Sequence, residues 1–343
     1  MHVLVTGHTG FKGAWLTMML RAHGWEVSGL ALDPEPGSLF EVADVGSLMT
    51  QDHRVDVRDA SAVHSVLRSV EPDAVFHMAA QPLVRESYRD PRTTVETNVM
   101  GTFNVLEAVG EVGTARACVI ITTDKVYRNV NQEAGYVESD ALGGHDPYSA
   151  SKAMADLLTQ SWVRSFGGPT AVIARAGNVI GGGDVSTDRL LPDLMRAFAS
   201  ASPASIRYPN AVRPWQHVLD CLNGYLLLMD AALEGSVSQG EWNFGPGVES
   251  FRTVAEVADT AVHCWGAGAS WKDTSGGEHP HEAELLALDA TAARDLLRWD
   301  DRLTFTESVE WTVKWHTDVA RGLDAMQVCS EQLARFESMG RDA

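Results

Sequence analysis

Tyr148 and Lys152 stand four residues apart in the run PYSASK, and residues at that spacing share one face of a helix. A lysine ammonium held beside a tyrosine phenol would lower the phenol's pKa and make it a base for a hydroxyl proton. Earlier in the chain, the apolar run ACVIITT (117–123) leads into Asp124, Lys125, Val126 and Tyr127. Asp124 can give a proton. Lys125 can take one only if burial or neighbouring positive charge lowers its pKa. Taken alone, a Tyr and a Lys after Pro147 also read as exposed residues at a helix start, so the chemistry depends on what the rest of the chain places beside them.

The N-terminal stretch supplies that context. MHVLVTGHTGFKGAW runs an apolar strand-like segment into TGxxGxxG, with Gly7, Gly10 and Gly13 three apart, and the amphipathic run AWLTMMLRAHG follows. Glycines at a strand–helix turn let backbone N–H groups approach a pyrophosphate, and the helix N-terminus favours the negative charge. Asp33 stands about 20 residues beyond the last glycine, at the end of the second apolar run, where a carboxylate accepts both hydroxyls of an adenosine ribose. It would repel a 2′-phosphate, and no arginine adjoins it in the sequence, so NAD is expected over NADP. Asp56, in RVDVRD, is placed for the adenine edge or for solvent.

Apolar runs at 3–6, 27–32, 74–80, 117–123 and 171–177 alternate with helical patterns such as 15–21, 60–70 and 94–109. Near-continuous Val, Ile, Ala and Leu belong to a parallel sheet covered on both faces. The expectation is an α/β fold: a doubly wound parallel (Rossmann) sheet with a smaller C-terminal α/β substrate-binding domain. The dinucleotide-binding domain is assigned to 1–177 plus about 214–243, the second domain to 178–213 and 244–330, and 331–343 to a polar tail. By the crevice rule, residues just past the carboxyl end of a parallel strand face the ligand, which puts Thr123 with Tyr148 and Lys152. Trp215, Trp242, Trp265, Trp271, Trp299, Trp311 and Trp315 fall in the later part of the chain and suit a smaller domain closing over a ligand, or packing alone.

The net charge of −19 argues against nucleic-acid and anionic-membrane partners, which clustered Lys and Arg would serve. No apolar run approaches the roughly 18 residues needed to span a bilayer. Cys118, Cys221, Cys264 and Cys329 are scattered without metal-type spacing, and no leader pattern opens the chain. Reduced thiols in a cytoplasmic protein are expected. HPHE (279–282) reads as a loop rather than a metal site, so no metal is expected.

The TGxxGxxG turn together with YSASK resembles the extended short-chain dehydrogenase/reductase family. GHTGFKG, FHMAAQPLVR (76–85), TNVMGT (97–102), DPYSASK (146–152), RAGNVIGGGD (175–184), RPWQHV (213–218), WNFGP (242–246) and HPHEAELLALD (279–289) are similar to its sugar-nucleotide 4,6-dehydratases. Asp124 followed by Lys125, where the deoxythymidine-diphosphate branch carries a glutamate, resembles the cytidine-diphosphate branch. TTDKVY departs from that branch where a serine and a cysteine are usual, which touches substrate choice.

The resemblance implies NAD held by Gly7, Thr9, Gly10, Phe11, Lys12, Gly13, Asp33, Asp56, Val57, Ala79, Ala80, Gln81, Asn98, Tyr148 and Lys152. It implies a CDP-hexose substrate whose diphosphate meets Asn178 and Arg213, with Arg189 and His281 as further contacts. It implies a redox-neutral cycle in which Tyr148 takes the C4 hydroxyl proton, Asp124 protonates the departing C6 hydroxyl, and Lys125 removes the C5 proton or stabilises the enolate while another group removes it. A 4-epimerase, a dehydratase for another nucleoside diphosphate, and a non-catalytic nucleotide-sugar sensor share the fold. The stripes Met154, Leu157, Leu158, Trp162 and Val95, Val99, Phe103, Leu106 suit the family's four-helix interface, hence a homodimer or a dimer of dimers, or else they face the sheet.

Overall fold

The computed structural model describes residues 1–132, 134–276 and 286–340. Seven parallel strands form one sheet: β1 (His2–Thr6), β2 (Glu26–Ala31), β3 (Gln51–Arg54), β4 (Ala74–His77), β5 (Ala117–Ile121), β6 (Thr170–Ala176) and, after the small domain's first strands, β10 (Glu241–Phe244). The spatial order is β3-β2-β1-β4-β5-β6-β10. Both faces are covered, as the apolar runs require. Along β5, Ala117, Val119 and Ile121 join one core, whereas Cys118 and Ile120 join the other. Strand order reverses between β1 and β4, and a crevice at such a reversal is where open α/β sheets bind ligands.

The remaining strands are β7 (Asn178–Ile180), β8 (Ala204–Ile206), β9 (Val212–His217), β11 (Phe251–Thr253) and β12 (Trp271–Asp273). They form a three-stranded sheet, β11-β9-β7, and a two-stranded pair, β12-β8. These pack around their own core of Leu191, Leu194, Phe198, Trp215 and Val257. Among the described residues no helix is long and apolar enough to cross a membrane.

The structure adds one strand, corrects one expectation and decides one alternative. QDHR (51–54) is a strand that no apolar run announces, because it lies at the sheet edge and alternates in exposure. The chain end, expected as a polar tail from 331, is helical through Met339 and buries Leu333 and Phe336. Trp242, Trp299, Trp311 and Trp315 fill the large core rather than a ligand cleft. Of the proposed interface stripes, Leu106 is buried under the sheet, and Phe103 packs edge-on against Trp162. Met154 and Leu157 are exposed.

Candidate active site

β1 ends at Thr6 and the first helix begins at Phe11, leaving the turn Gly7–Gly10 between them. Gly7 has φ +75°, and a Cβ there would stand 2.8 Å from the Ala79 nitrogen. A Cβ on Gly13 would fall 2.2 Å from the Gly7 carbonyl oxygen. Gly10, the residue capping the helix, offers no side-chain cap, and a Cβ on it would meet only the Gly7 oxygen at 3.4 Å. The cap thus supplies no side-chain acceptor for the first-turn N–H groups, which fits an anionic pyrophosphate there. The Thr6 hydroxyl accepts from the nitrogens of Met78 (3.1 Å) and Ala79 (3.2 Å), fixing the loop after β4 against the turn. Ala79 and Ala80 thus line the reversal point of the sheet.

Other residues expected at the cofactor hold the walls together. Thr9 donates to the Leu32 carbonyl at 3.1 Å, and the Lys12 ammonium donates to the Tyr225 hydroxyl at 2.8 Å. The Phe11 side chain packs on the large core. The Asn98 amide accepts from the Gln81 nitrogen at 2.8 Å and donates to the Gln81 carbonyl (3.1 Å) and Ser151 hydroxyl (2.8 Å). That clamps the loop after β4 to the Tyr148 helix. Val57 turns into the core over Gly101, and its carbonyl accepts from Asn104 at 2.8 Å. Asp56 is gripped by Arg58 at 2.6 Å, and that hydrogen bond holds its carboxyl below the usual range.

Asp33 lies beyond the end of β2 with its carboxylate 90% exposed. An arginine distant in the sequence nevertheless approaches it in the fold. Ala31 pairs with Arg54 across the β2–β3 register, and Arg54 Nε reaches to 3.9 Å from Asp33 Oδ1.

The chemistry-bearing group gathers at the carboxyl end of β5. Asp146 caps the Tyr148 helix (Pro147–Phe166) by accepting from the Ser149 nitrogen at 2.9 Å, with Pro147 in the first turn. Thr123 donates to Asp124 Oδ1 at 2.8 Å, and Asp124 is 2% exposed. Lys125 Nζ stands 4.0 Å from the same oxygen, with about a third of its side chain open to solvent (32%). Lys152 is buried one turn along from Tyr148 and donates to the Ile121 carbonyl at 2.8 Å.

Electrostatics depart from expectation at Tyr148. Burial dominates and pushes the phenol up to about 12. The downward pulls come from the Thr123 hydrogen bond and from the Arg189 charge rather than from Lys152. Lys152 is itself pushed down to about 8, first by burial and then by the Lys12 charge. Arg189 sits 3.7 Å from Asp184, at the start of the helix Leu190–Ala199. Asn178 begins β7, and Arg213 lies on β9 with its guanidinium donating to the Val212 carbonyl at 2.8 Å. The register of β7 on β9 sets Asn178 opposite Trp215, two residues from Arg213. His281 and the rest of HPHE lie outside the described residues.

One supporting pair escaped the sequence reading. Arg175 binds Asp156 through two contacts of 2.8 Å, both side chains fully buried, and Thr122 donates to Asp156 at 3.1 Å. Asp156 stands one turn beyond Lys152 and favours its ammonium form. An arginine inside the apolar strand AVIARA was the available signal, since such a charge is seldom buried without a partner.

A glycine turn at the sheet's reversal point, with a Tyr–Lys helix and a buried acid at the next strand end, defines a dinucleotide-dependent α/β enzyme acting on a hydroxyl-bearing substrate. The chain belongs to the NAD dependent epimerase/dehydratase family, whose pattern matches residues 3–245. A CDP-glucose 4,6-dehydratase of Salmonella typhimurium is 45% identical over 340 residues, covering 96% of this chain and 94% of its own. A dTDP-glucose 4,6-dehydratase of Neisseria meningitidis is 28% identical, over 92% of this chain and 93% of its own. The UDP-glucose 4-epimerase of Thermus thermophilus, solved with NAD, superposes with a TM-score of 0.80 at 25% identity, over 94% of this chain and 100% of its own.

Proposed function

We propose that the chain catalyses the NAD-dependent 4,6-dehydration of CDP-D-glucose, giving CDP-4-keto-6-deoxy-D-glucose and water. The observation that carries this reading is Asp124, buried at the end of β5, bonded to Thr123 and flanked by Lys125. A 4-epimerase has no need of an acid and a base beyond Tyr148, whereas an elimination across C5 and C6 needs both. The 45% identity to a CDP-glucose 4,6-dehydratase over nearly the whole chain supports the cytidine nucleotide over other bases.

NAD, when bound along the glycine turn, would accept a hydride from C4 and return it to C6, so none is consumed. Tyr148 takes the C4 hydroxyl proton as the 4-ketone forms. The ketone acidifies C5, and Lys125 removes that proton. Asp124, protonated, gives its proton to the C6 hydroxyl, which departs as water. The C5 proton returns as C6 is reduced. Overall, the water leaving carries the proton that Tyr148 took from the C4 hydroxyl. Thr123, bonded to Asp124 and drawing the Tyr148 pKa down, joins the group that gains that proton to the group that must be recharged. Arg189 supplies positive charge for the phenolate, and Asn178 and Arg213 are assigned to the diphosphate.

We assign the exposed face around Met154 and Leu157 to a homodimer contact and the protein to the cytoplasm. Incubation with CDP-, dTDP- and UDP-glucose tests the reading. The expected outcome is a 4-keto-6-deoxy product fastest with CDP-glucose and no net NADH. Galactose-configured product without loss of water would replace it by the epimerase reading.

A further inference from the structure

Arg54 is oriented from several sides at the outer edge of the sheet. Its Nη2 donates to Asp52 Oδ2 at 2.7 Å and its Nη1 to the Leu32 carbonyl at 3.3 Å. The guanidinium carbon lies 5.1 Å from the centre of the Phe40 ring. Asp52 is held in turn by His8 Nε2 at 2.9 Å, and burial disfavours charge on that imidazole. With Asp33 at 3.9 Å, two carboxylates flank one guanidinium, so the edge is negative although it contains an arginine. The Arg54 side chain nevertheless keeps 33% of its surface open.

An arginine near the adenosine ribose accommodates a 2′-phosphate, and its planar fork binds phosphate through two hydrogen bonds. We propose that Arg54 is a masked 2′-phosphate site, silenced by Asp33, and that the preference for NAD over NADP rests on that one carboxylate. With Asp33 present, Arg54 acts as a positioning residue that holds the carboxylate at the ribose. With Asp33 neutral, the same guanidinium is already anchored by Asp52 and Leu32 and is free on the ribose side. This inference rests on the NAD reading above.

Equilibrium binding of NAD⁺ and NADP⁺ to purified wild type, D33N, D33N/R54Q and D33N/R54A tests it, with melting temperatures measured on the same samples. D33N is expected to bind NADP⁺ at least about tenfold more tightly than wild type, in a salt-sensitive way. Both double variants are expected to lose most of that gain while their NAD⁺ affinity stays within about threefold of D33N, as expected when only a charge-assisted contact to the 2′-phosphate is removed. The Gln variant keeps a long polar side chain over Phe40, so a fold defect confined to D33N/R54A leaves the comparison intact. Undiminished NADP⁺ binding in D33N/R54Q, or no gain in D33N when wild type binds NAD⁺, overturns the inference alone. Failure of wild type to bind either nucleotide overturns the NAD reading and this inference with it.

Discussion

The Thr123 hydroxyl donates to Asp124 Oδ1 across 2.8 Å, and the same side chain is the first of the groups that draw the Tyr148 phenol's pKa down. A hydroxyl has one proton to donate, so the two partners compete for it. When Asp124 is ionised it holds that proton. When Asp124 carries its own proton, Thr123 is released to donate to a Tyr148 phenolate. The charged acid therefore opposes the phenolate, consistent with Asp124 being among the groups that raise the Tyr148 pKa. The elimination acid and the oxidation base are thus loaded together. Thr123→Val is expected to lower turnover by about 10-fold or more, with Thr123→Ser recovering most of it. Equal loss in both variants would remove the hydroxyl from this role.

Tyr148→Phe deletes only the phenolic oxygen. The variant is expected to bind CDP-glucose normally and to lose about 10²–10⁴-fold in rate, the usual contribution of a positioned general base. Steady-state turnover with a matched binding measurement checks it. Retention of more than about a hundredth of the rate would contradict the assignment.

Lys152 is pushed down to about 8 from 10.5, mainly by burial. Its folded pKa lies below the unfolded one, so the unfolded chain binds the proton more tightly. The burial cost is therefore full below about pH 8 and fades as pH rises towards about 10.5. Lys152→Met is expected to be inactive yet more stable at neutral pH, by about 1–3 kcal/mol after loss of the Ile121 hydrogen bond. Its advantage should shrink as pH rises through that window. A lower melting temperature than wild type at neutral pH would count against the burial argument.

Gly13→Ala places a methyl carbon against backbone, 2.2 Å from the Gly7 oxygen and 2.7 Å from the His8 Cα, neither of which can turn aside. The turn must open. NAD⁺ affinity is expected to fall at least about tenfold, with a stability loss of about 1–3 kcal/mol from the overpacked contact. Calorimetric titration and thermal melting read the two effects separately.

The glycine turn, the Tyr–Lys helix and five of the seven strands of the central sheet were legible because their signals are local: spacing and unbroken apolar runs. Pro147 announces the start of the Tyr148 helix within a residue. What was not legible depends on register or on burial. Arg54 meets Asp33 only because β2 and β3 pair with Ala31 opposite Arg54, and β3 is an edge strand with polar residues. Lys152 was expected to act on Tyr148 by sharing its helix face, which is correct as spacing. Burial outweighs that proximity, and the ammonium instead donates to the Ile121 carbonyl. The chain end was read as a tail because the stretch from 331 is mostly polar in sequence, although the helix buries Leu333 and Phe336 within it.

Lys125 is next to the acid and partly open to solvent, as a group that must exchange its proton requires. Lys125→Met is expected to retain oxidation at C4 but to lose exchange of the C5 hydrogen with deuterated solvent. Exchange at an undiminished rate would assign the base elsewhere and leave Lys125 to stabilise the enolate.

The central claim is that Asp124 delivers the proton that expels the C6 hydroxyl. Asp124→Asn keeps the shape and the reach to Thr123 but has no acidic proton to give. A single-turnover experiment with CDP-glucose, following reduced-nicotinamide absorbance and 6-deoxy product in the same sample, separates oxidation from elimination. The absorbance is expected to rise and persist while product formation falls by at least about 10²-fold. Release of the 4-keto-6-deoxy sugar at near wild-type rate, with no persistent absorbance, would contradict the account.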